Sequence, residues 1–164
     1  MSYELSLTRD IPFSALGICL FRCWTEPELL KQWFCPKPWR VTHAEIDLRP
    51  GGRFNTTMAG PEGEEFPNEG SFLEVIEGKK LVFTSALKEN WEPAADLSAN
   101  EHAMPFVGTV TFEDLGNGIL RYTARVDHWS AETRDRHAAM GFEPGWNAAL
   151  DQLIELLLPK SDSL

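Results

Sequence analysis

Two polar side chains that could do chemistry in this sequence fall on one face of one strand. From Ile119 to His128 the residues alternate, so Leu120, Tyr122, Ala124, Val126 and His128 share a side, and Arg121, Thr123, Arg125 and Asp127 share the other. The apolar set must turn inward, which offers a phenol and an imidazole to the interior. An imidazole in that place can move a proton or hold a ligand at a pocket mouth. It reads equally as a strand-end histidine without a chemical part. A phenol among apolar groups needs a partner, which a ligand or a backbone carbonyl can supply. Asp127 and His128 are adjacent but point to opposite faces, so they make no acid–base dyad.

The remaining reactive groups carry weaker signals. Cys19 and Cys23 stand four apart on an expected helix, but no CxxC, HExxH or His-x₃-His spacing accompanies them, and no metal site is expected. Cys35, before Pro36, lies in acidic surroundings that do not lower a thiol pKa. Three early cysteines make no disulfide framework and suit a reduced, cytoplasmic protein. GxSxG, Walker and GxGxxG motifs are missing, and no cofactor is expected. His102 and His137 have no geometry that spacing can assign.

The elements that must position Tyr122 and His128 follow from pattern. Tyr3 to Thr8 reads as an opening strand. Ile11 to Trp24 reads as a buried helix, and Glu28 to Phe34 as a second short one, capped by Thr25 and closed by Cys35-Pro36-Lys37-Pro38. Period two then takes over in Val41–Leu48, Arg53–Met58, Glu69–Ile76, Leu81–Ala86, Phe106–Glu113 and Ile119–His128, with turns at Pro50-Gly51-Gly52, Gly60-Pro61-Glu62-Gly63 and Gly116-Asn117-Gly118. Ser130 caps a helix that Gly141, Pro144 and Gly145 interrupt, after which Trp146, Leu150, Leu153 and Leu157 form an apolar stripe. Strands segregated from helices make a single α+β domain spanning 1–164. Leu87 to Met104 has no strand pattern and reads as a lid, a binding loop or a disordered insertion, with Trp91 as a lid plug or an exposed anchor.

Composition narrows the partners. The 164 residues carry 15 basic and 25 acidic side chains, a formal charge of −10, which argues against nucleic acid and anionic membrane. The opening MSYELSLTRD lacks the pattern of a secretory signal, and the longest apolar run is short for a bilayer. The unusual figure is aromatic: six Trp and ten Phe against two Tyr, enough bulk to fill a core or to ring a hollow.

Several segments, in order, are similar to one family: FRCWTEPELLKQWF, RPGGRF, FPNEGSFLEV with KKLVFT, VTFEDLGNG and MGFEPGWNAALDQLIELL. They resemble bacterial homologues of the C-terminal domain of the heat-shock-protein-90 ATPase activator, within the SRPBCC (START, polyketide cyclase, birch-pollen-allergen-like) superfamily. The resemblance runs from about Leu7 to Leu158. It implies a helix-grip fold, a curved antiparallel sheet of about six to seven strands around a long C-terminal helix, with two short helices after the first strand. The chain departs from relatives at Trp33-Phe34-Cys35-Pro36, where Trp-Trp-Gly-Pro is frequent. Heat-shock-protein binding is not carried over, because the eukaryotic activator's further N-terminal domain has no counterpart in this sequence.

The leading expectation is a domain that encloses a small hydrophobic or aromatic molecule between sheet and C-terminal helix. Its candidate lining is Trp33, Phe54, Phe72, Phe83, Tyr122, His128, Met140, Phe142 and Trp146, with Trp91 in the lid. One alternative is a cyclase- or hydrolase-like enzyme using His128 or Tyr122. Another is a protein–protein interaction module or homodimer.

Overall fold

Alternation along the middle of the chain translates directly into hairpins, and the helices close over the face they bury. The computed structural model describes residues 2–12, 17–94 and 105–158. In order these form β1 (Glu4–Ile11), α1 (Gly17–Thr25), α2 (Pro27–Leu30), β2 (Arg40–Ile46), β3 (Phe54–Ala59), β4 (Glu65–Asn68), β5 (Ser71–Ile76), β6 (Lys80–Thr84), β7 (Phe106–Gly116), β8 (Ile119–His128), α3 (Ala131–Ala139) and α4 (Phe142–Leu157). The strand pairs are antiparallel, in one sheet ordered β1-β8-β7-β6-β5 and another ordered β2-β3-β4.

The two sheets meet at a corner. Arg53 bridges Ser71, the Phe54 N–H donates to the Gly70 carbonyl at 2.9 Å, and the Phe72 N–H donates to the Gly52 carbonyl at 3.0 Å. Gly70 is the hinge of this corner, since a Cβ there would lie 2.8 Å from the Thr84 carbonyl oxygen. The strand expected over Glu69–Ile76 therefore starts only at Ser71, and the residues ahead of the corner, Glu65–Asn68, form β4 in the other sheet.

Several boundaries shift for local reasons. The first strand continues to Ile11 because each of its residues pairs with β8, up to Ile11 opposite Leu120. The expected helix start is displaced accordingly, and residues 13–16 lie outside the described residues. Thr25 ends α1 instead of capping α2: its hydroxyl donates back to the Phe21 carbonyl at 3.0 Å. Glu26 precedes α2 without a side-chain cap, and Pro27 pre-sets its first turn. Ser130 does cap α3, its oxygen accepting from the Thr133 N–H at 3.1 Å. Gly141, at φ 97°, separates α3 from α4, and Pro144 falls in the first turn of α4, where its missing N–H leaves no intrahelical bond unmade.

α4 lies on the concave face and buries Phe142, Ala149, Leu150 and Leu153. Its other tethers are polar. Arg9 of β1 pairs with Asp151 and donates to the Asn147 side chain at 2.7 Å. Gln152 donates to the carbonyls of Trp33 at 3.0 Å and Cys35 at 2.7 Å, and accepts from the Lys37 N–H at 3.0 Å. This one amide thus holds the exit from α2 against α4. No helix of the described residues is long and apolar enough to cross a membrane.

Gly108 of β7 faces Phe83 of β6 in register, and a Cβ on it would come within 2.6 Å of that ring. Gly108→Ala is therefore expected to cost about 1–3 kcal/mol by overpacking, read from urea denaturation. Adding Phe83→Leu should recover part of the loss, because the two changes share one contact.

Candidate functional site

Two hollows lie side by side under the concave surface. The inner one, about 180 Å³, is lined by Trp24, Trp33, Phe34, Cys35, Pro36, Met58, Tyr122, Gly145, Trp146 and Ala149. It is bounded by α1, the exit from α2, β3, β8 and the first turns of α4. The outer one, about 150 Å³, has Phe34, Phe54, Met58, Phe83 and Phe106 as its apolar walls, and Thr56, Thr84, Ser85, Asn68 and Glu69 as its polar lining. Phe34 and Met58 border both hollows, so they form the partition between them.

The polar chemistry of the inner hollow is narrow. Tyr122 is 2% exposed, and its hydroxyl accepts the Trp24 indole N–H at 3.2 Å. Burial pushes its pKa well above the ordinary phenol value, so it stays neutral. Burial likewise pushes the Cys35 thiol up to about 11, which keeps it protonated and unreactive at neutral pH. Trp33 satisfies its own N–H on the Cys23 carbonyl at 3.0 Å. No charged side chain lines this hollow among the described residues.

The structure sorts the candidates from sequence into several places. Trp33, Tyr122 and Trp146 meet at the inner hollow, and Phe54 and Phe83 at the outer one. Phe72 lines neither: it is fully buried and stacks under Phe54, centroids 5.0 Å apart at 15°. Phe142 backs Trp146 from within the core, centroids 5.0 Å apart. Met140 is 67% exposed at the α3–α4 break and faces away from both hollows, since the break turns it outward. Trp91 is 50% exposed, and its indole covers Gly51 of the β2–β3 turn instead of a pocket entrance. The first part of the expected lid is a tight turn in which Leu87 bridges Pro93 and the Ala94 N–H donates to the Ala86 carbonyl. Residues 95–104, with His102, lie outside the described residues.

His128 faces inward as the alternation requires, at 6% exposure, but lines neither hollow. Its Nδ1 meets the Tyr3 carbonyl at 2.9 Å and its Nε2 meets Nδ1 of His137 at 2.9 Å. The Tyr3 carbonyl can only accept, so Nδ1 carries the proton between them, which leaves Nε2 to face the Nδ1–H of His137. The two rings pin α3 to the end of β8, which is a structural tie remote from the hollows.

Sequence reasoning overlooked Trp24, Phe34, Met58, Thr56 and Ala149. The alternation that singles out Phe54 also places Thr56 and Met58 on its face, and that signal was usable. Trp24 and Phe34 carry no comparable signal, because which aromatic side chain borders a space depends on packing.

A curved antiparallel sheet closing on a long C-terminal helix defines an α+β protein of the helix-grip class. The chain belongs to the family described as activator of Hsp90 ATPase homolog 1-like protein, whose model matches residues 19–157. Among solved structures it resembles a Nitrosomonas europaea protein at 42% identity and TM-score 0.84, covering 94% of this chain and 93% of that one. It also resembles a Mycobacterium smegmatis protein at 26% identity and TM-score 0.74, covering 95% of this chain and 91% of the other. No curated protein matches. The family's fold is generally a ligand-binding scaffold.

Burial, and second the neighbouring His128, push the His137 pKa down from 6.5 to about 4. The unfolded chain then binds a proton that the folded chain refuses between those values, so stability falls as pH drops from about 6.5 to about 4. With solvent screening at this partly exposed ring, the loss is expected to be on the order of 1 kcal/mol. Thermal melts of wild type and His137→Gln across this range should diverge from neutrality, with the flatter profile in the variant.

Proposed function

We propose that this protein binds a small hydrophobic or aromatic molecule in the inner hollow. The observation that carries the reading is a space of about 180 Å³ between Tyr122 and α4, walled by three indoles yet left unfilled by them. An apolar hollow of roughly 150 Å³ is large enough for a benzene-sized guest. Apolar walls with one oriented polar group give a guest affinity and a single pose.

The catalytic alternative asks His128 to face the same space. Both its ring nitrogens are engaged elsewhere, by Tyr3 and His137, and no histidine or carboxylate lines the inner hollow among the described residues. Binding is accordingly the function the geometry supports best.

Trp24, Trp33 and Trp146 make the test direct. Neutral aromatic compounds titrated into the protein should quench or shift tryptophan emission at micromolar concentration and raise the melting temperature. Ala149→Leu extends a side chain into the hollow; it should weaken binding about tenfold or more while leaving the melting temperature of the free protein unchanged or higher. No response to any of a chemically varied panel would overturn the reading.

A further inference from the structure

Resting on that reading, we propose that the two hollows are one bipartite site for an elongated neutral molecule with two aromatic rings, whose inner end carries a hydrogen-bond acceptor such as a carbonyl. The polarity follows from Tyr122. Its hydroxyl already accepts the Trp24 N–H at 3.2 Å, and its own proton has no acceptor among the described residues. The phenol therefore has a proton to give, and Trp24 biases it against accepting from a guest. The cation that acts on the phenol, Arg9, is already paired with Asp151 and Asn147 and does not line the hollow, so an anionic acceptor such as a carboxylate would be buried without a free counter-charge, which is costly. A neutral carbonyl meets both conditions.

The length follows from the partition. Each hollow alone matches a single ring, whereas pockets that enclose larger organic ligands run to roughly 300 Å³ and above. The inner and outer spaces are about 180 and 150 Å³, and Phe34 and Met58 line both. Phe34 is only half-buried, and Met58 has an unbranched, adaptable side chain, so the wall between the hollows is made of groups able to swing. Past it lies a second hydroxyl, Thr56, which is 5% exposed and has no hydrogen-bond partner among the described residues. The outer space thus supplies aromatic walls from Phe54, Phe83 and Phe106 together with a polar contact for the guest's far end.

Methyl naphthyl ketone, ethylnaphthalene, acetophenone and ethylbenzene separate length from polarity. Binding to the full chain is measured by calorimetry, with near-ultraviolet circular dichroism as the check that each variant is folded. In wild type each ketone should bind roughly fivefold tighter than its hydrocarbon, and Tyr122→Phe should erase that preference. Trp24→Phe, which frees the phenol to accept, should let phenol compete with acetophenone where wild type favours the ketone. Phe34→Ala should tighten methyl naphthyl ketone about tenfold relative to acetophenone. Met58→Ala opens the same wall from the strand side and serves where Phe34→Ala does not fold. If acetophenone binds wild type but neither partition variant favours the larger ketone, or Tyr122→Phe keeps the ketone preference, this proposal fails and the binding reading survives. If no probe binds any form, both fail.

Discussion

An indole and a phenol can be buried together at the centre of this protein because each supplies what the other needs. Trp24, 1% exposed, donates to the Tyr122 hydroxyl, and without that bond its buried N–H would be left unpaired at a cost of about 1–3 kcal/mol. The bond joins α1 to β8 across the concave surface. The same indole also meets Trp33, Phe34 and Phe83 edge-on or tilted, with centroids 5.0, 5.5 and 5.8 Å away. The helix α1, the exit loop and the five-stranded sheet are thus referred to one side chain. The walls of both hollows hang from it.

The aromatic groups leave space because they are prevented from closing on it. Gln152 fixes the segment from Trp33 to Lys37 through three hydrogen bonds, and Arg9 fixes α4 on β1. Trp33 is further held by its bond to Cys23. With the helix and exit loop both anchored by polar contacts at their edges, the rings between them cannot collapse without breaking those contacts. Partly buried hydrogen bonds of this kind resist deformation even where their net contribution to stability is small.

The histidines illustrate how adjacency on a face differs from sharing a site. Tyr122 and His128 lie on the same strand face, but six residues of extended chain separate them by about 20 Å. Over that distance the concave surface passes from the hollow to the docking place of α3. His128 is there to hold a helix, and burial keeps its partner His137 neutral at physiological pH.

The local elements were legible in the sequence because period two, glycine turns and helix caps act over a few residues. The Ile119–His128 face, the Ser130 cap and the break before α4 all follow from such short-range rules, and the resemblance identified the family and fold. The sequence also exposed the aromatic excess that makes a hollow possible. Tertiary structure alone decided which aromatics border space: Phe72 is sealed under Phe54, while Phe34 stands between two hollows. It also decided that Trp91 rests on Gly51, that Met140 faces solvent, and that His128 pairs with His137. Strand pattern tells which side of a sheet a residue occupies, but the part of that side left uncovered depends on where helices dock. Their docking is set by contacts between residues more than a hundred positions apart, such as Arg9 with Asn147 and Gln152 with Trp33.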